Sequence, residues 1–373
     1  MHKKFIPVAL AMAFAAAGAQ AQEIVKIGHV AATSGPSAHL GKDDENGAKM
    51  AVEDLNAQGF KINGKPVKFV LLPEDDAADP KQGTAAAQKL VDAKVNGVIG
   101  HQNSGTTIPA SKIYYDAGIP QISASATSPV YTRQGYNTAF RVVANDNKLG
   151  SVLGKYAVHK LGAKKIAIID DRTAYGQGVA TEFAKGAKGA QIVAKEFTTD
   201  KATDFNAILT SIKAKNPDLV FFGGMDGVGG PLLRQMRSLG IKARYMGGDG
   251  ICTEGLPKLA GGADESVTCA EAGGVPAAQK KQLDEFSARY KKKFNMDVQI
   301  YAPYVYDAVM AMATAMQQAK SAEPAKYLPY LAKIQYQGIT GPIMFDKYGD
   351  IKDGALTLYT FKDNRREVLE IVK

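Results

Sequence analysis

The chain has 373 residues, a formal net charge of +9, two cysteines and no tryptophan. At about 100–200 residues per domain, that length suggests two domains, each able to bury a core without disulfide or metal staples. The lysines are scattered, and the longest basic run is Lys291-Lys292-Lys293; without a basic stripe interleaved with aromatics, nucleic-acid binding is disfavoured.

The first 21 residues read as an export signal and not as part of the fold. Lys3 and Lys4 give a positive start, an apolar run covers residues 5–17, and Ala19-Gln20-Ala21 supplies a small-x-small cleavage pattern. The run is shorter than the roughly 20 apolar residues a membrane span needs. Gln22, not Cys, follows the expected cut, which argues against a lipid anchor. Cleavage removes 21 of 373 residues and leaves 352, and the loss of Lys3 and Lys4 lowers the formal charge from +9 to +7.

From residue 24 onward, apolar runs alternate with amphipathic stretches. A strand is predicted over 24–30, then a helix over 43–58 with Ala48, Ala51, Val52 and Leu55 at helical spacing. Strands follow at 67–72, 95–100 and 119–123, separated by helices at 80–92 and 106–117. The segment Phe140-Arg141-Val142-Val143 reads as an extended crossing. The rhythm then restarts, with helices at 146–161, 178–188, 204–215 and 231–239 and strands at 165–170, 191–197, 219–223 and 243–247. Helices at 277–294 and 302–318 and a short β tail complete the chain. Two βαβα units in tandem imply α/β architecture with parallel sheets covered on both faces. No linker rich in Pro, Ser or Gly separates them, which suits a hinged pair. Cys252 and Cys269 form an even pair. In an oxidising compartment this reads as one disulfide tying a loop to the next strand, with two buried thiols as the alternative.

In open α/β sheets, ligands sit at the carboxyl ends of the strands. The loops at 101–107, 123–129, 171–178, 224–230 and 248–254 all follow predicted strands. The first two carry Ser104, Ser125 and Thr127. Small hydroxyls and free N–H groups at helix starts suit a small anion such as a carboxylate.

Catalytic chemistry is absent from the motifs. The five histidines (His2, His29, His39, His101, His159) show no metal-ligand spacing, and neither HExxH, GxSxG nor GxxxxGK[ST] occurs. The glycine-rich stretch from Gly223 to Gly230 breaks the dinucleotide spacing. Asp75-Asp76 and Asp170-Asp171 end strands and read as caps and turn residues. The reading is a non-enzyme that holds a small molecule and needs no cofactor or metal.

Several short stretches, taken in order, carry a family resemblance: Thr33-Ser34-Gly35-Pro36, Glu74-Asp75-Asp76 with Asp79-Pro80, Val98-Ile99-Gly100, Tyr175-Gly176-Gln177-Gly178, and the run from Gly338 to Asp346 with Gly349-Asp350. The mature chain resembles the periplasmic leucine/isoleucine/valine-binding proteins of ABC transporters. The resemblance implies a type I periplasmic binding fold, two Rossmann-like lobes joined by three strands. Lobe 1 would hold 22–142 plus 273–356, and lobe 2 would hold 143–272 plus 357–373. It implies capture of a branched-chain amino acid by hinge closure and delivery to an inner-membrane ABC permease, as a monomer.

By position, Ser104 and Thr127 would bind the ligand carboxylate, Ser125 and Ala126 would offer mainly backbone contacts, and Tyr175 would pack over the ligand from lobe 2. Asp249, in Gly247-Gly248-Asp249-Gly250, would pair with the α-ammonium. Leu40, and Met225 or its neighbour Asp226, fall where leucine binders carry pocket tyrosines. The implied side-chain pocket is therefore wider or differently shaped, or Asp226 adds a second acid for a more polar ligand. The family's disulfide near the first lobe is missing, with Ala78 and Asn103 in those regions. The competing readings are a sensor for another amino acid, amide or small carboxylate, and a periplasmic hydrolase, which lacks a nucleophile–base pair.

Overall fold

The computed structural model describes residues 22–274 and 277–372, and the expected export signal lies outside them. The first unit runs β1 (Glu23–Ala31), α1 (Ala38–Ala57), β2 (Lys61–Ile62), β3 (Lys65–Asp75), α2 (Pro80–Asp92), β4 (Gly97–Gly100), α3 (Ser104–Asp116), β5 (Gln121–Ser123), α4 (Val130–Arg133) and β6 (Ala139–Arg141). Its sheet has the order β2-β3-β1-β4-β5-β6, parallel except for the β2–β3 hairpin. Val25, Ile27, Val98, Ile99 and Ile122 are fully buried, as strands covered on both faces require.

The second unit runs α5 (Asp146–His159), β7 (Lys165–Asp170), α6 (Ala174–Gly186), β8 (Gln191–Phe197), α7 (Asn206–Lys215), β9 (Leu219–Gly223), α8 (Asp226–Ser238), β10 (Arg244–Gly247), α9 (Leu256–Ala260) and β11 (Val267–Glu271). The chain then returns to the first unit through α10 (Lys280–Phe294), α11 (Ala302–Gln318) and α12 (Pro324–Leu331), with α10 and α11 packing on α1. A small hairpin, β12 (Tyr336–Gln337) with β13 (Pro342–Ile343), follows; buried Asp307 of α11 holds its turn through the N–H groups of Ile339 and Thr340. Finally β14 (Leu356–Lys362) and β15 (Arg365–Val372) add antiparallel strands to the second sheet, whose order is β15-β14-β11-β10-β9-β7-β8.

In each sheet the direction of winding reverses once, at β1/β4 and at β7/β9. Loops following those strands therefore open into a crevice where a ligand can sit. Four helices begin earlier than their apolar spacing predicts: α1 at Ala38, α3 at Ser104, α6 at Ala174 and α8 at Asp226. Their first turns are polar or glycine-rich and lie at this crevice, so the apolar period starts only where each helix reaches its sheet. The short helix α12 has no counterpart in the sequence reading.

Three segments cross side by side between the units. Ala144 N–H donates to Ala272 O (2.9 Å), Thr357 Oγ1 donates to Gly273 O (3.0 Å) and Lys148 Nζ donates to Gly354 O (2.6 Å). Arg141 ends β6 at the first crossing and is fully buried. Its guanidinium is paired with Asp350 and donates to Ala126 O (3.2 Å) and Ser128 O (2.7 Å), fixing the loop on both sides of Thr127. Burial alone would raise the Asp350 carboxyl; the Arg141 charge and the hydrogen bonds from Thr132 and Arg141 outweigh it and hold the carboxyl below its ordinary value. A disulfide joins Cys252 to Cys269 of β11, with Cα atoms 5.3 Å apart and a sequence separation of 17; a loop of that size is worth about 3 kcal/mol.

Arg141→Met leaves Asp350 with Thr132 at its first oxygen and Arg133 and Asn145 at its second. Urea unfolding should show a loss of about 3–5 kcal/mol, the usual cost of breaking a buried ion pair from one side. A loss under about 1 kcal/mol, the level of a surface pair, would mean the crossing does not depend on Arg141.

Candidate functional site

Both units contribute to one small cavity between them. From the first come Gln102, Asn103, Ser104, Ser125, Ala126 and Thr127, and Tyr301 just before α11; from the second come Tyr175, Met225, Asp249 and Gly250. The cavity has a volume of about 20 Å³.

One wall is built to receive an anion. Ser104 is the first residue of α3, where free N–H groups and the helix dipole favour negative charge. Its Oγ accepts from Ser128 N–H (3.1 Å), which leaves the hydroxyl proton free to donate. Thr127 Oγ1 is buried and has no hydrogen-bond partner. Ser125 turns its hydroxyl away, to Asp44 Oδ2 (3.1 Å), so Ser125 and Ala126 offer backbone to the cavity.

The facing wall carries an acid. Asp249 starts a 3-10 turn, Asp249–Ile251, after β10 and is 1% exposed. Tyr175 Oη donates to its Oδ1 (2.7 Å) and Tyr301 Oη donates to its Oδ2 (2.8 Å), so one hydroxyl comes from each unit. Gly250 N–H donates to Tyr175 Oη (3.0 Å) and fixes that ring. Burial raises the Asp249 carboxyl, against the lowering effect of the two tyrosine bonds. Burial, and then the Asp249 charge, push both phenols well above their ordinary value, so they remain donors. Nearby Asp146 is buried with neither oxygen hydrogen-bonded. Burial and then the charge of Asp249 push its carboxyl up to about 8.

Seven of the nine sequence-predicted ligand residues meet at this cavity. Leu40 and Asp226 do not line it. Leu40 is fully buried behind the wall, packed with Ile300 and Tyr301 and touched by Met225. Asp226 has a different task from the second ligand acid expected. Its Oδ2 accepts from Thr253 Oγ1 (2.6 Å) and pairs with His39 Nε2 (2.9 Å) across the two units.

Gln102, Asn103 and Tyr301 were not foreseen. Tyr301 is placed by buried Asp43, whose carboxylate accepts from the N–H groups of Gln299, Ile300, Tyr301 and Ala302 at 2.8–3.0 Å. Only Pro303, in the first turn of α11, marked this helix start in the sequence.

Over residues 24–365 the sequence matches the family described as periplasmic binding protein. The chain belongs to the periplasmic binding protein family. An amino acid binding protein of Pseudomonas aeruginosa is 37% identical, covering 91% of this chain and 90% of that one. A leucine-, isoleucine-, valine-, threonine-, and alanine-binding protein of the same organism is 35% identical over 96% of this chain and 95% of its own. Among solved structures, the branched-chain amino acid transporter substrate binding protein LivJ from Streptococcus pneumoniae, in complex with isoleucine, superposes with a TM-score of 0.86 at 29% identity. That match covers 94% of this chain and 99% of that one. The two-lobed α/β fold and the resemblance read from the motifs are both borne out.

For a family member that closes on its ligand, the His39–Asp226 pair is a closure contact. Burial lowers the His39 imidazole, but the Asp226 hydrogen bond and charge outweigh it, so the net shift is upward while the pair is made. Closure thus takes up protons. Its contribution is full below the open-state value and is lost as pH rises through the raised closed-state value. Calorimetry of ligand binding from about pH 6 to about pH 8, the range in which histidine titrates, should show affinity falling with pH. The fall should be shallower in His39→Gln; identical slopes would remove the pair from closure.

Proposed function

We propose that this chain captures an α-amino acid with a branched aliphatic side chain, such as leucine, isoleucine or valine, in the periplasm and delivers it unchanged to an inner-membrane ABC permease. One observation carries this reading: the anion-receiving wall of Ser104 and Thr127 belongs to one unit, and buried Asp249 faces it from the other. A zwitterion complements both at once. Ser104 and Thr127 take the carboxylate, Asp249 takes the ammonium, and Tyr175 packs against the ligand from the second lobe. The named ligands of the relatives support the aliphatic class.

The ligand drives closure because contacts to both walls exist only when the lobes meet. The lobes of this reading are 22–142 plus 273–356 and 143–272 plus 357–373, a division supported by strand membership of the two sheets. Residues 1–21 direct export and are cleaved, and the mature chain acts as a monomer. The permease reads the closed pair of lobes. No step of this cycle makes or breaks a covalent bond in the ligand.

Titration calorimetry on protein unfolded and refolded to strip carried ligand is the test. Leucine, isoleucine and valine should bind, and leucinamide, which lacks the carboxylate, should not. Asp249→Ala should weaken binding by about 2–5 kcal/mol, the cost of removing one partner of a buried charge pair. Unchanged affinity in that variant would remove Asp249 from the site, and silence from all three amino acids would overturn the reading.

A further inference from the structure

The cavity as it stands holds about 20 Å³, which is room for about one water. The smallest α-amino acid has five heavy atoms, so a wall has to give before any ligand is held. Most walls are tied. Tyr175 and Tyr301 are bonded to Asp249, the Ser104 hydroxyl meets Ser128 N–H, and Arg141 pins the loop around Thr127. Gln102 is held through its carbonyl oxygen, which accepts from Ala32 N–H (3.1 Å).

Asn103 and Met225 are the untied side chains, and of these Met225 is the apolar one. Its side chain has no polar group to bond, and its three rotatable bonds let it refill space at little cost. Its sulfur lies against Gly250, 2.9 Å from where a Cβ on that glycine would stand. It also touches the Leu40–Ile300–Tyr301 cluster of the first lobe.

A second, larger space lies directly outside. This outer cleft between the lobes has a volume of about 450 Å³. It shares Asn103, Tyr175 and Met225 with the inner cavity, and much of the rest of its wall is apolar, from Pro36, Ala77, Ala78, Pro80, Ala174 and Val228. Of the three shared side chains, only Met225 is both wholly apolar and free of hydrogen bonds. With the ligand's charged ends on Ser104, Thr127 and Asp249, its side chain is left to face the aromatic rings and Met225.

We propose that Met225 is a movable wall between the inner cavity and the outer cleft, and that the site therefore takes long apolar side chains, such as those of methionine and phenylalanine, together with the branched aliphatic ones. The inference rests on the amino-acid reading above and deepens it by naming the reach of the side-chain subsite. A ligand side chain that swings Met225 outward joins the two spaces, and the apolar lining of the outer cleft receives whatever extends past it. Val228, in the first turn of α8, continues the apolar surface in that direction.

The test compares wild type with Met225→Ile. Isoleucine has nearly the volume of methionine but is branched at Cβ and stiff at its first torsion. Residue 225 precedes α8 in extended backbone (φ −96°, ψ 159°), which accepts a β-branched residue, and matching thermal melts would verify folding. Valine, leucine, methionine and phenylalanine are titrated calorimetrically into both proteins. In wild type all four should bind. In Met225→Ile, phenylalanine and methionine should weaken by about tenfold or more, the scale on which pocket size discriminates, while valine changes far less. Binding of valine and leucine without methionine and phenylalanine in wild type would overturn the movable wall and leave the amino-acid reading intact. Equal ratios in the two proteins would do the same, since rotation of the lobes would then be making the room. Silence from all four ligands would overturn the amino-acid reading and this inference with it.

Discussion

A buried carboxylate has to find partners, and Asp249 finds one in each lobe. Tyr175 reaches it from α6 and Tyr301 from the start of α11. That demand links the two halves of the molecule at the cavity they share. It explains why Asp43 spends its carboxylate on four backbone N–H groups around Tyr301, since a loosely held tyrosine could not complete the arrangement. Buried charge is costly unless paired, so the state in which the lobes meet is stabilised by whatever pairs it.

The surroundings of Asp249 are acid-rich. Asp44 and Asp146 are both buried nearby, and Asp249 itself is among the charges that raise Asp146. Burial, and then the charge of neighbouring Asp43, drive the Asp44 carboxyl well above its ordinary value. With its carboxyl pushed up to about 8, Asp146 is mostly neutral near pH 7. Arg141, the buried cation at the hinge, is already committed to Asp350 and to the carbonyls beside Thr127. The positive charge that this neighbourhood lacks is one that an α-ammonium brings. Conversely, the first wall has donors at Ser104 and Thr127 and no cation of its own among its lining residues, which suits a carboxylate held by hydroxyls and a helix start.

The sequence made the α/β rhythm legible because apolar period is a strong signal wherever a helix or strand packs on a core. The strands at Lys165–Asp170, Gln191–Phe197 and Leu219–Gly223 fall where the apolar runs place them. The same signal fails at the crevice. The turn holding Ser104, the turn holding Tyr175 and the turn from Asp226 to Gly230 are helical, but they face the opposite lobe and carry no apolar stripe. Asp226 was misjudged for a related reason. Its partner His39 is 187 positions away in sequence and belongs to the other unit. Tyr301 was missed because nothing local distinguishes a pocket tyrosine from a core one; its role depends on Asp43 and Asp249, both distant in sequence. Ser104 and Thr127 stood out as hydroxyls in loops that follow strands of an α/β unit, whereas Asp249 was marked only through the family resemblance; all three line the cavity.

In the proposed cycle a single amino acid bridges the two walls and closes the lobes. Small-angle X-ray scattering of ligand-stripped protein, alone and with saturating valine, tests it most directly, with Asp249→Ala as a second sample. The radius of gyration should fall on adding valine to wild type and stay constant in the variant at the same concentration. A scattering curve that does not change when wild type is saturated would contradict it, because the bridging contacts would then not be what brings the lobes together.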